Sequence, residues 1–239
     1  MKKLLLAVLL AAAAPAFATL QLSANINGIV FNCADQTACD LDPLVGRLRI
    51  ADQTFNGVEI VGSSQFQIIG SVNALNTSSF QIINHNMSAA TIQLAINGID
   101  FLGPVANYSA SGSGTWQNAN GSSLGLSFYG DATNTQGANT PTDLPGILLA
   151  SFNDIAVGPA DAFAFNSTGP FAAGGLFGMS LGTTGTLAAW NGQPGAEPTL
   201  VGRSQTMLAT NGSFVPEPGT LMLLGVALLC VFMSRRRRI

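Results

Sequence analysis

Residues 20–31 read LQLSANINGIVF, and this stretch sets the expected fold of the whole chain. Its apolar residues alternate with polar ones, which is the pattern of a strand with one buried face. The residues that would share that face are Leu20, Leu22, Ala24 and Ile26. Asn27-Gly28 follows them, and this dipeptide favours a two-residue β-hairpin turn because both of its residues adopt positive φ. The stretch therefore predicts a β-hairpin.

The same two signals recur along the chain. Asn-Gly occurs six times, and three copies have strand-like flanks, at Asn27, Asn56 and Asn97. Each of these three predicts a hairpin. Alternating apolar residues occur again at Leu44, Gly46, Leu48 and Ile50, at Leu124, Leu126 and Phe128, and at Phe163 and Phe165. We therefore expect an all-β body over residues 19–214, a β-sandwich or jelly-roll-like domain of about ten strands.

Three further patterns bear on the arrangement of strands. The tetrapeptide FQII occurs at residues 66–69 and again at 80–83, which indicates adjacent strands of a meander. Residues 107–123 and 130–146 are polar and glycine-rich, so both are predicted to be long surface loops. Residues 169–185 hold six glycines among apolar residues, which fits tight turns between short strands.

Composition excludes several classes of function. The chain has 239 residues, and only 9% are charged, against about 25% in an ordinary soluble domain. Residues 19–214 hold three arginines, no lysine and eleven carboxylates, a formal charge of −8. A nucleic-acid partner bound through a basic face is excluded by this charge. The same composition argues against a multi-domain cytosolic enzyme.

The N-terminal segment has the three parts of a secretory signal peptide. Lys2 and Lys3 precede an apolar run over residues 4–14, and Ala16-Phe17-Ala18 supplies a small-residue cleavage site. The run is too short to span a membrane. We therefore expect residues 1–18 to be removed and the exported chain to begin at Thr19.

The C-terminal segment also has three parts in order. Pro216-Glu217-Pro218 is followed by an apolar run over residues 219–233 and then by Arg235, Arg236, Arg237 and Arg238. The run predicts one short transmembrane helix, since flanking arginines and local thinning of the bilayer accommodate the deficit in length. The basic tail places that end in the cytoplasm, so the body lies outside.

This C-terminal arrangement resembles the PEP-CTERM sorting signal of Gram-negative bacteria, over residues 215–239. The resemblance implies that the chain is anchored in the inner membrane until an exosortase-type membrane protease recognises Pro216, Glu217 and Pro218 and removes the helix and tail. It also implies an association with exopolysaccharide production and delivery to the cell surface. The region is sometimes labelled after ice-binding proteins, a label that describes the tail. A permanent tail anchor is the alternative.

Few residues of the body suggest chemistry. Cys33 and Cys39 enclose a short turn-like segment, and in an exported chain they predict a disulfide. Asp35, Asp40 and Asp42 cluster around it, and they are candidate calcium ligands because calcium binds carboxylate oxygens. Their spacing does not match the calcium-loop signature, which favours a solvated acidic loop. No cofactor or metal is expected.

His85 is the only histidine of the sequence. As a catalytic base it would need an orienting carboxylate such as Asp100, but nothing in the spacing supports this, so a solvated turn is expected. A sugar-stacking platform or ordinary packing at the core edge would suit the four large polar aromatics, Tyr108, Trp116, Tyr129 and Trp190.

The sequence as a whole therefore predicts a non-enzymatic, exported surface or extracellular-matrix protein, with extracellular polysaccharide as a possible partner. A carbohydrate-binding module is the first alternative. The second is an exported glycan hydrolase that would use a pair of facing carboxylates.

Overall fold

The computed structural model describes residues 19–69 and 72–212, and within these ranges the chain is all-β. The described residues form thirteen strands and no helix, so none of their segments is a helix able to span a membrane. The strands are β1 (Leu20–Ile26), β2 (Ile29–Ala34), β3 (Arg47–Arg49), β4 (Gln53–Phe55), β5 (Val58–Ile69), β6 (Val72–Asn84), β7 (Ala90–Leu102), β8 (Val105–Gln117), β9 (Ser123–Asp131), β10 (Ile147–Ile155), β11 (Ala160–Ala173), β12 (Leu176–Leu187) and β13 (Thr199–Thr210). The predicted fold class is confirmed, while the signal peptide and the transmembrane helix lie outside the described residues.

Two antiparallel sheets pack face to face around a shared core. Sheet 1 has the strand order β10-β9-β12-β7-β1-β2, and sheet 2 has the order β11-β8-β13-β6-β5-β3, with β4 also paired to β5. The alternating residues predicted for β1 and β9 are buried in this core. Aromatic rings join the sheets at one edge, where Phe152 of β10 stacks on Phe163 and Phe165 of β11. This two-sheet arrangement is that of a β-sandwich.

Two of the three predicted hairpins are confirmed. Asn27-Gly28 joins β1 to β2 and Asn56-Gly57 joins β4 to β5, with positive φ at all four residues. The third prediction is wrong, because Asn97-Gly98 lies inside β7, which continues to Leu102. Gly98 is needed there for space: a Cβ at this position would lie 2.9 Å from the ring of Phe101.

The prediction of a surface loop over residues 107–123 is also wrong, because most of it is β8, a strand between β11 and β13. Its inward face carries small residues because neighbouring side chains occupy the space above them. A Cβ at Gly112 would lie 2.6 Å from Leu126, and one at Gly114 would lie 2.6 Å from the ring of Phe163. The glycines that suggested a loop are therefore packing positions.

The repeated tetrapeptide lies on neighbouring strands, as predicted, since residues 66–69 end β5 and residues 80–83 lie in its partner β6. The glycine-rich stretch 169–185 forms the end of β11 and most of β12, joined at residues 174–175. The expectation of short strands is wrong, because these two strands are 14 and 12 residues long.

Residues 132–146 connect β9 to β10 as a loop, as predicted, but the loop lies across the outer face of sheet 1. Asn134 exchanges hydrogen bonds with Asp100, and the carbonyl of Asn139 accepts one from the side chain of Asn32 at 3.2 Å. Ala138 in the loop is fully buried, and so is Ser23 on the covered face of β1. The loop therefore covers part of the outer face of sheet 1 and forms hydrogen bonds with β7 and with the edge strand β2.

Candidate functional site

In the sequence, the predicted sorting tripeptide follows β13, a central strand of sheet 2. Strand β13, which precedes it, lies between β6 and β8 and ends at Thr210. The carbonyl of Gly212, the last described residue, accepts a hydrogen bond from the side chain of Asn107 at 3.3 Å. Pro216, Glu217, Pro218 and Arg235 to Arg238 lie outside the described residues. Only residues 213–215 separate the described fold from Pro216.

A groove on sheet 2 is a concave surface lined in part by polar side chains. It opens where β3 ends and β4 begins, since these two short strands pair with different parts of β5. Its volume is about 680 Å³. The polar residues that line it are Arg49, Asp52, Ser79 and Gln81, and the apolar ones include Leu41, Ile50, Val61, Phe80 and Val201.

The groove combines a guanidinium, a carboxylate, an amide and a hydroxyl above apolar side chains. Arg49, Asp52 and Ser79 are exposed, and Gln81 is half-buried. Sites for small molecules commonly have this make-up, a mostly apolar lining with a few polar groups. The sequence signal was weak: Arg47 and Arg49 lie opposite Leu48, but the partners on β6 depend on the pairing of β5, which the sequence does not reveal.

The disulfide between Cys33 and Cys39 is present, as predicted. It lies at the start of the acidic loop, residues 35–46, whose carboxylates accept hydrogen bonds from backbone amides. Asp35 accepts from Gly46 at 2.7 Å, and Asp40 accepts from Gln36, Asp42 and Arg49 at 2.9–3.0 Å. No group of three potential metal ligands is assembled among the residues that the structure describes. The acidic residues therefore hold the shape of the loop.

The pKa values of two carboxyl groups in this loop are shifted in opposite directions, upward for Asp35 and downward for Asp40. Burial raises the pKa of Asp35, against hydrogen bonds from Gly46 and Gln36, and the nearby charge of Asp40 raises it further. Burial also acts to raise the pKa of Asp40, but hydrogen bonds from the amides of Arg49, Asp42 and Gln36 outweigh it and the pKa is lowered. The loop thus favours a charged Asp40 and disfavours a charged Asp35.

His85 is not in contact with Asp100. Its Nε2 lies 3.2 Å from Oε2 of Glu59, and both side chains are partly exposed at 39% and 30%. Asp100 lies at the other end of β7, where its carboxylate accepts a hydrogen bond from Asn134 at 2.7 Å. His85 and Asp100, the base and carboxylate that a serine-hydrolase arrangement would need, therefore lie at different places in the fold.

The four polar aromatic residues do not form a common platform. Trp116 is 1% exposed, and its indole nitrogen donates to Asp154 at 2.7 Å. Tyr108 is also buried, and its hydroxyl donates to the carbonyl of Leu149. Trp190 donates to the carbonyl of Gln193 within a loop beyond β12, and Tyr129 lies on β9. Two of the four therefore have the packing role that was the alternative.

Comparison with known proteins bears on the C-terminal segment. Residues 214–238 match the family described as the PEP-CTERM protein-sorting motif. The chain carries a PEP-CTERM sorting motif. The match confirms the resemblance drawn from Pro216, Glu217, Pro218 and the arginine tail, and it indicates an exported protein that is targeted for exosortase processing. No curated protein sequence matches the chain.

Several solved structures share a distant likeness with the described body. TmCBM61, solved in complex with β-1,4-galactotriose, is 9% identical, with 64% of this chain and 89% of that one covered and a TM-score of 0.32. A protein of infectious bursal disease virus, Gt strain, is 13% identical over 84% of this chain, which spans 57% of the viral chain, with a TM-score of 0.32. The K3 adhesin domain of Lys-gingipain from Porphyromonas gingivalis is 9% identical over 63% of this chain and 74% of its own length, with a TM-score of 0.26. Likeness at this level does not identify a ligand.

Proposed function

We propose that the chain is the precursor of a non-enzymatic surface or extracellular-matrix protein, which an exosortase-type protease releases from the inner membrane at the PEP-CTERM motif. The released β-domain then acts at the cell surface or in an exopolysaccharide matrix. Three parts of this proposal come from the resemblance to the PEP-CTERM sorting signal. They are the exosortase partner, the location at the cell surface and the association with polysaccharide.

One observation carries the proposal: the last described core strand, β13, ends before the sorting motif begins. Thr210 is the last residue of β13, and this strand is paired on both sides. Met207 and Ala209 near its end are fully buried in the core. Cleavage at Pro216-Glu217-Pro218 therefore leaves every described strand, and all its described packing, in the released domain.

A structural role for the body is supported by how its polar side chains are used. Asp40 and Asp131 accept hydrogen bonds from backbone amides of their own loops, and Asp154 accepts from Trp116. In the core, Gln205 of β13 is joined to Thr183 of β12 across the two sheets at 3.1 Å. These groups stabilise turns and connect the sheets.

Release is tested by cell fractionation of the wild-type chain and of a Pro216→Ala/Glu217→Ala variant. The variant should stay in the inner membrane, because its helix still inserts but the recognised tripeptide is lost. Glu197→Ala is a matched control, since Glu197-Pro198 is a second Glu-Pro pair in the chain, located before β13. Equal surface delivery of both variants would contradict the proposal.

Carbohydrate binding is the second candidate, and the groove at Arg49, Asp52 and Gln81 is the observation that favours it. Planar amide, carboxylate and guanidinium groups can bind neighbouring sugar hydroxyls in pairs, while the apolar floor contacts the ring. A glycan array with the released domain tests this, followed by Arg49→Ala and Gln81→Ala. Arg203→Ala is the control, because Arg203 is exposed on β13 but does not line the groove. Binding that all variants retain equally would exclude the groove.

A further inference from the structure

We propose that one end of the sandwich rests on the outer leaflet of the inner membrane while the C-terminal helix is still attached. The contact surface is the leucine tip, formed by the connections between β7 and β8 and between β11 and β12. Its residues are Leu102, Gly103, Pro104, Gly174, Gly175 and Leu176. This inference rests on the proposed anchoring of the precursor and names the surface that the anchored body presents to lipid.

The leucine tip consists of two adjacent connections, each of which passes from one sheet to the other. Leu102 pairs with Leu176 in sheet 1, and the amide of Gly103 donates to the carbonyl of Gly175 at 3.0 Å. Leu102 is 53% exposed and Leu176 is 45% exposed. The side chains of Leu102 and Leu176 are thus neighbours at the end of the molecule, and both are exposed.

The tip carries no charge. Residues 102–107 read LGPVAN and residues 170–176 read PFAAGGL, without an acidic or basic side chain. Along these strands, Asp100 lies two residues before Leu102, and Asp131 pairs with Gly178, two residues after Leu176. Asp100 accepts a hydrogen bond from Asn134, and Asp131 is only 3% exposed and accepts from Thr133 and Thr135. Moving this surface against headgroups and acyl chains therefore buries no unpaired charge.

The chain leaves the sandwich at the same end. Asn107, near the start of β8, pairs with Thr210 at the end of β13. Asn73 of β6 pairs with Ala209, and its side chain also bonds the backbone of Leu102 at 2.9 and 3.2 Å. One residue, Asn73, therefore contacts both Leu102 and the end of β13, from which the C-terminal segment leaves the described fold.

Chain length sets the maximum separation between the tip and the bilayer. Seven residues lead from Gly212 to Gly219, where the apolar run begins. Fully extended, they span at most about 25 Å. The headgroup layer occupies roughly 5–7 Å of that distance on each side of the hydrocarbon core. The body is therefore confined near the surface, and the leucine tip is an uncharged, described surface at the end from which the chain leaves the sandwich.

The opposite end supplies matched controls. Met87 and Val157 are each 75% exposed there, in the connections after β6 and β10. Carboxylates accompany them, since Asp161 accepts a hydrogen bond from the amide of Val157 and Glu59 lies against His85. The side chains of these two residues are more exposed than those of Leu102 and Leu176, but they lie at the end of the sandwich opposite Thr210.

The test places one environment-sensitive fluorophore at a time on the full-length chain. Leu102→Cys, Leu176→Cys, Met87→Cys and Val157→Cys are made with Cys230→Ser, so that each chain has one free thiol beside the disulfide. Each protein is reconstituted in phosphatidylethanolamine and phosphatidylglycerol vesicles at less than one chain per vesicle. A blue shift and several-fold stronger quenching by spin-labelled lipid are expected at positions 102 and 176, but not at 87 and 157.

Two results would overturn the proposal. Water-like emission at all four positions would show that the tip does not touch lipid and would leave docking on the protease or another protein as its use. Equal protection at all four would show adsorption without orientation. The vesicles contain no protease, so the outcome is independent of whether exosortase releases the chain. A chain that is cut in cells but has a water-exposed tip would refute this inference alone.

Discussion

The side chain of Asn73 on β6 forms two hydrogen bonds with the backbone of Leu102, the last residue of β7. The amide nitrogen donates to the Leu102 carbonyl at 2.9 Å, and the amide oxygen accepts from the Leu102 nitrogen at 3.2 Å. Asn73 is 2% exposed. Because β6 and β7 belong to different sheets, this one residue fixes the crossover of the leucine tip to sheet 2.

Replacing Asn73 should therefore destabilise the domain. Asn73→Ala leaves two backbone groups of Leu102 without their partner, which costs about 1–3 kcal/mol for each buried group that stays unpaired. In a domain of this size, each kcal/mol lowers the melting temperature by about 2–4 °C. Thermal unfolding of residues 19–214 measures the effect. Asn76→Ala is the control, since Asn76 accepts one part-buried hydrogen bond from Thr206, and a loss equal to that of the control would contradict the argument.

The Trp116–Asp154 hydrogen bond should contribute a measurable coupling energy between the sheets. Trp116 is on β8 of sheet 2 and Asp154 is on β10 of sheet 1, and the bond at 2.7 Å has a charged acceptor. Hydrogen bonds to charged groups contribute about 1.5–3 kcal/mol. A double-mutant cycle with Trp116→Phe and Asp154→Ala should give a coupling of about 1 kcal/mol or more. Additive effects of the two changes would show that the bond contributes nothing.

Loss of the disulfide should lower stability modestly. The bond closes a short loop, from Cys33 to Cys39. Restricting so short a loop in the unfolded chain is worth about 2 kcal/mol by the chain-entropy estimate. Denaturant unfolding of Cys33→Ala/Cys39→Ala should show a lower midpoint at an unchanged slope. An unchanged midpoint would mean that the hydrogen bonds of Asp35 and Asp40 hold the loop without it.

Asp35 and Asp40 should respond to pH with opposite signs. The pKa of Asp40 is lowered in the folded state, so the ionised group stabilises the fold above its unfolded pKa of about 3.8, and this stabilisation is lost as pH falls through the folded pKa. The pKa of Asp35 is raised, so its ionisation at neutral pH opposes folding. Asp40→Asn should therefore cost more stability at pH 7 than Asp35→Asn, and the difference should shrink on acidification. Chemical unfolding of both variants at several pH values measures this, and a difference that grows on acidification would contradict it.

The all-β fold was predictable because its signals are local. Alternation over Leu20 to Ile26 and the turn at Asn27-Gly28 need only neighbouring residues, and both were confirmed. The C-terminal motif was predictable for the same reason, since its three parts follow one another directly. The disulfide was inferred from two nearby cysteines in a chain expected to be exported.

The errors arose where long-range packing decides the structure. Gly112 and Gly114 suggested a loop, but they provide space for Leu126 and Phe163, which come from distant parts of the sequence. Asn97-Gly98 satisfied the local rule for a turn, but Gly98 makes room for the ring of Phe101. The groove at Arg49 and Gln81 was missed because the register of β5 with its neighbours brings these residues together.

The mass of the mature C-terminus shows whether the PEP-CTERM motif is cleaved before the protein reaches the cell surface. Protein is recovered from the cell surface, and its intact mass and C-terminal peptide are measured. We expect a chain that begins at Thr19, ends near Pro216-Glu217-Pro218 and retains every described strand to Thr210. Surface-delivered protein that still carries residues 219–239 would contradict it and would make the C-terminal segment a permanent anchor.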